Sequence, residues 1–126
     1  MAKVTIKLDN SKIAILEMAQ KQALELTTEA LLSDIITSAV VPKNTGELER
    51  SGFPDLSQLS KLITSIIFDT PYARRMYWHP EYNFRHDKNM NAQGLWMQTY
   101  IDGVKRDFIK DTYMQFLKQL SKGLIK

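Results

Sequence analysis

The sequence predicts an α+β fold in a single domain spanning residues 1–126. Three observations carry this. Apolar or small residues recur every three or four positions from Ile13 to Ser38, which marks one face of a long helix. β-branched and aromatic residues crowd the stretch from Lys61 to Asp69, which reads as the best strand in the chain. A second helical stripe runs through Phe108, Phe116, Leu120 and Leu124. A long N-terminal helix and a C-terminal helix would then pack on a small, mostly antiparallel sheet of three or four strands.

The elements follow in order. Val4, Ile6 and Leu8 alternate with Thr5 and Lys7, the period of a short strand. Asp9, Asn10 and Ser11 are helix-capping types. The helix after them runs from about 11 to 40. Thr27 and Thr28 offer a second N-cap, so the favoured reading is two nearly collinear pieces with a break at 27–28. Pro42 lacks an amide donor and biases Val41 away from helical angles, so the chain stops there. Asn44 and Glu47 have a capping-box-like spacing, which predicts one short helical turn from Thr45 to about Ser51. Within this structural turn of Pro42, Thr45, Gly46 and Leu48, Gly46 supplies backbone freedom and Leu48 returns to the core.

Gly52, Pro54, Asp55 and Ser57 predict an irregular stretch before the strand within 61–69, which Asp69-Thr70-Pro71 ends. Tyr72 and Ala73 would pack beneath the long helix. A further strand is expected within 77–86, bent at Pro80. Residues 89–94 read as a loop, and Leu95 to Ile101 fits either helix or strand. Asp102 is the expected cap of the final helix, whose stripe begins at Val104 and is widened by Ile109, Tyr113 and Leu117.

Composition narrows the function. No apolar run approaches the ~20 residues of a bilayer span. Residues 1–7 hold no apolar core of signal-peptide length, so no secretory leader is expected. The absence of cysteine removes disulfides, thiolate metal sites and cysteine nucleophiles. The formal charge is +3 and the pI about 9.1. All of that excess lies in residues 101–126, where it reads first as the solvated, dipole-favoured end of a helix.

Catalytic constellations are not evident. There is no Gly-rich phosphate loop and no His-Glu-x-x-His helix. His79 and His86 lie seven apart with Glu81 and Asp87 as acidic neighbours, but no third ligand stands at a metal-site spacing. Ser51 and Ser65 lack the context of a nucleophile. The reading is therefore a non-enzymatic protein without metal, cofactor or small-molecule substrate.

The informative feature is aromatic density. Seven of the twelve aromatics fall in residues 72–100: Tyr72, Tyr77, Trp78, Tyr82, Phe84, Trp96 and Tyr100. That is more than twice the density of uniform spreading. Arg74, Arg75, His79, Arg85, His86 and Lys88 are interleaved with them. Tyr, Trp and Arg dominate protein–protein hot spots. Arg74, Arg75, Tyr77, Trp78, His79, Tyr82 and Arg85 are thus the candidate assembly interface; the plain alternative is that most of these rings fill the core of a small sheet, and spacing alone does not sort core rings from surface ones. The same mixture suits single-stranded nucleic acid. A small nucleic-acid-binding module, using segment 72–88 and the basic C-terminal helix, is the alternative.

Several blocks also carry a resemblance. Pro42-Lys-Asn-Thr-Gly-Glu-Leu48 with Ser51, Thr70-Pro-Tyr-Ala-Arg-Arg75 and Tyr77-Trp-His-Pro-Glu-Tyr-Asn-Phe84, continued by His86-Asp-Lys-Asn89 and Gly94-Leu-Trp96, resemble the minor capsid proteins of tailed bacteriophages. The likeness is to the branch found in long-tailed phages and prophages of Gram-positive bacteria. It is similar in turn to the wider tail-completion, or neck, family. That family often carries Glu-Gly shortly after its Tyr-Ala pair, where this chain has Arg74-Arg75-Met76. The resemblance implies an α+β head–tail connector component in the virion, assembled in the host cytoplasm. Its partners would be other neck, head and tail proteins and further copies of itself in a ring. DNA would at most pass through that ring, and no membrane is involved. Head-closure and tail-completion positions both stay open.

Overall fold

The computed structural model describes residues 2–43 and 45–124. Its longest element is α1, Asn10–Thr37. The Asp9 carboxylate caps it, accepting from the amides of Ser11 at 3.1 Å and Lys12 at 3.2 Å. These bonds satisfy donors that the first helical turn leaves open.

The expected break at Thr27-Thr28 does not occur. Thr27 Oγ1 donates to the Ala23 carbonyl at 2.6 Å and Thr28 Oγ1 to the Leu24 carbonyl at 2.7 Å. Each hydroxyl is satisfied inside the helix, so neither acts as a cap and α1 is continuous. It ends slightly earlier than Pro42 requires. Ala39 takes a left-handed conformation at φ 55°, and the chain turns there. The capping-box reading on Asn44 lies outside the described residues.

The short helix α2, Glu47–Arg50, forms where the turn was expected. Gly46 precedes it at φ 86°. That angle calls for glycine; the nearest atoms to a Cβ there belong to the flexible Arg50 and Lys43 side chains, which could move aside.

The sheet departs most from expectation. Among the described residues it has two antiparallel strands, β1 Gly52–Asp55 and β2 Ser65–Phe68, with Phe53 opposite Ile67. β1 falls on the stretch expected to be irregular. Pro54 is tolerated because a strand at the edge of a sheet can spare one amide donor. β2 is shorter than the predicted 61–69 because Leu62, at φ 58°, breaks the extended run. Val4, Ile6 and Leu8 form no strand, and neither does 77–86. There the chain instead forms helix α3, Ala73–Tyr77, and then turns at Pro80.

α4 spans Phe108–Leu120. Asp102 does not cap it; its carboxylate accepts from Gln98 Nε2 at 3.0 Å, and Asp107 holds the N-cap position. Val104 is exposed and stands outside the stripe. α4 packs mainly on α1 rather than on the sheet. Small residues Ala19 and Ala23 meet Leu117 there, with Tyr113, Phe116 and Leu120 around them. The small α1 side chains allow this close helix approach.

The larger core collects Ile35, Val41, Leu48, Ala73, Trp96 and Tyr100. Tyr72 packs against it, so Tyr72 and Ala73 share a core with the long helix as expected. Trp96 sits at its centre. Phe68 meets it edge to face at 5.5 Å and Tyr77 at 4.8 Å.

Candidate assembly surface

Helix α3 has one face in the core and one in solvent. Ala73 is buried, Met76 and Tyr77 pack against the core, and Arg74 and Arg75 are exposed. This periodicity follows from a single helical turn laid on an apolar floor. Tyr77 therefore leaves the predicted interface group; it anchors the surface from below. Trp78 is 62% exposed and stands edge to face on Tyr77, with centroids 5.0 Å apart.

The chain after Trp78 is held down by two contacts. The Leu95 amide donates to the Tyr77 carbonyl at 2.8 Å. Gly94 lies so close over Pro80 that a Cβ would stand 2.7 Å from the Pro80 Cα. The exposed rings that follow are thus mounted on a fixed backbone.

His79 and Tyr82 stack, with centroids 4.6 Å apart and planes 6° from parallel. His79 Nδ1 donates to the Glu81 carboxylate at 2.7 Å, and this bond holds that carboxyl below its ordinary range. Arg75 Nε donates to the Tyr82 hydroxyl at 3.4 Å. Arg74, Arg75, Trp78, His79 and Pro71 line a shallow depression of about 460 Å³.

Arg85 lies apart from this group. It forms a two-pronged pair with Asp87, at 2.7 Å from Nε and 2.5 Å from the terminal nitrogen. The Arg85 bonds hold the Asp87 carboxyl down at about 2. Arg85 lines a different groove, of about 550 Å³, together with Pro42, Gly46, Leu48, Tyr72 and Phe84. The turn read as structural and the end of the aromatic segment therefore share one groove. Thr45 lines it too and steadies Arg50, whose guanidinium donates to the Thr45 carbonyl at 3.3 Å. Tyr82 connects the two regions, since its ring also lies 6.3 Å from Phe84.

Sequence reasoning missed Asn89. Its side-chain amide is buried and donates to the Val41 carbonyl at 2.8 Å and to Glu49 at 2.5 Å. It ties the loop at 89 to the turn that lines the groove. No local pattern marks it, because both acceptors are 40 or more residues away.

Among the described residues no group of three or more His, Asp or Glu side chains is placed to hold a metal ion. No described helix is long and apolar enough to cross a membrane. No known protein family, curated protein or solved structure matches this chain.

Proposed function

We propose that this chain is a non-catalytic virion assembly protein, a phage or prophage minor capsid component of the head–tail connector. It would act in a ring joining head and tail, at the head-closure or the tail-completion position. The observation that carries the reading is the exposed Trp78 on its fixed platform, flanked by Arg74, Arg75 and the His79–Tyr82 stack. An aromatic anchor with arginines around it is the composition of an interface hot spot. The backbone contacts at Tyr77 and Pro80 pre-position it, which reduces the entropy lost on docking. The sequence resemblance names the partners: neighbouring neck, head and tail proteins.

The nucleic-acid alternative is less well supported. Two cations it would use are engaged inside the chain, Lys105 with Asp34 and Arg85 with Asp87. Phosphate tracking uses cations that face the backbone together.

Deletion of the gene from its phage or prophage tests the proposal. Filled heads and separate tails should accumulate. Normal yields of tailed, infectious particles would overturn it.

A further inference from the structure

Residues Val4, Ile6 and Leu8 are 89%, 85% and 68% exposed, although their alternation and side-chain types are those of a strand. Elsewhere in the chain, β1 and β2 pair only with each other. Among the described residues neither has a backbone hydrogen bond to any other segment. The ribbon is supported on one face by α1 and the core, but unpaired strand edges remain templates for another strand. The chain therefore holds a segment with a strand's pattern but no strand partner, and a sheet with open edges.

The two cannot meet within one molecule. The sheet lies beside the second half of α1, where the Thr28 and Thr64 hydroxyls are 2.7 Å apart and Leu32 stands against Gly52. Thr28 is about 27 Å along the helix from Asn10 at 1.5 Å per residue. Val4, six residues before Asn10, reaches at most about 21 Å when fully extended. Leu8 reaches far less.

We infer that the N-terminal arm, residues 4–8, adds as a third strand to the β2 edge of a second copy of this chain. β2 is the acceptor because β1 carries Pro54, which has no amide to donate. Charge sets the facing. With Val4, Ile6 and Leu8 on the side of half-buried Ile66 and Phe68, Lys3 and Lys7 come to the outer face. That face carries Asp55 beside Phe53 and Ile67. Donor and acceptor are different surfaces of the same chain, so two copies can close by exchanging arms reciprocally, and a one-way exchange runs head-to-tail into a ring or a filament. The inference goes beyond the neck assignment and stands without it, because it concerns the purified chain.

The test compares the full chain with a Val4→Asp, Ile6→Asp double variant by sedimentation velocity from micromolar to millimolar concentration, with amide hydrogen exchange on both. Both substitutions fall on exposed side chains, and circular dichroism should be unchanged. The full chain should self-associate, with protection rising together at residues 4–8 and 65–68. The variant should associate about tenfold more weakly or worse and lose both protections. A full chain that stays monomeric throughout, equal association of the two proteins, or arm protection without protection at 65–68 would each overturn it. Failure here leaves the gene-deletion outcome untouched, and the reverse also holds.

Discussion

Tyr100 donates its phenolic hydrogen bond to the Asp34 carboxylate, joining residues 66 apart in sequence. Lys105 completes the cluster, with Nζ 2.8 Å from Asp34 and 2.8 Å from the Ser38 hydroxyl. This half-buried group fastens the segment before α4 to the end of α1. Burial pushes the Asp34 carboxyl up, but the bonds from Lys105 and Tyr100 and the Lys105 charge outweigh it, and the net shift is downward. Tyr100 is pushed well above its ordinary range by burial first and then by Asp34.

Stability should follow these shifts at both ends of the pH scale. A lowered carboxyl contributes stability that is present above its unfolded pKa of about 3.9 and is lost as pH falls through the folded value. A raised tyrosine contributes stability that is present below about 10 and is lost as pH rises further. Asp34→Asn removes the charge that Lys105 and Tyr100 share and should cost about 1–3 kcal/mol near neutral pH. Urea unfolding at a series of pH values should show the acid-side loss reduced in Asp34→Asn.

Trp96 holds the core beneath the candidate assembly surface. Trp96→Ala should cost about 3–5 kcal/mol, because it empties the space between Phe68 and Tyr77. The buried indole Nε1 has no hydrogen-bond partner among the described residues. Trp96→Phe should therefore cost markedly less, since it loses contact area but no hydrogen bond. Chemical denaturation of the two variants distinguishes these outcomes.

Arg75→Glu combined with Trp78→Ala should leave the fold intact, because both side chains are exposed, with a cost of about 0.5–1.5 kcal/mol from the lost Trp78–Tyr77 contact. Head–tail joining should fail when the variant gene complements a deletion. Circular dichroism and particle counts check the two halves. Joining by the native chain should also weaken with added salt.

Gly94→Ala places a methyl group against the Pro80 backbone, which cannot swing aside as a flexible side chain could. The expected cost is about 1–3 kcal/mol. Because Gly94 and Leu95 hold down the chain beyond Tyr77, the near-ultraviolet signal of Trp78 should weaken as well. A wild-type melting temperature with an unchanged Trp78 signal would show that this contact does not hold the surface.

Much of the fold is legible in local pattern. Asp9 caps α1 through the residues that follow it, and the face with Ala19, Ala23 and Ile35 is the buried one. Gly46 and Leu48 behave as their types and spacing imply. The strands were less legible. Pro54 and Gly52 disguise β1, whereas Val4, Ile6 and Leu8 advertise a strand that does not form within the molecule. The candidate interface was legible as a segment but not as a surface. Helix α3 turns Tyr77 inward, and Arg85 lies across Tyr82 in a separate groove.

Local pattern alone sets the α+β class, the Asp9 cap of the long helix, the stop near Pro42 and the amphipathic face of α4, but not the continuity of α1 through Thr27-Thr28. These depend on neighbours within one or two helical turns, so composition and spacing decide them. The tertiary structure alone decided that Trp96 is core while Trp78 is surface. It also decided that the 42–48 turn shares a groove with Phe84 and Arg85, and that Tyr100 reaches Asp34. Two tryptophans have the same local chemistry, and only the floor beneath each one separates them. A strand is likewise a property of two backbones, so an alternating pattern states a preference that a partner must complete.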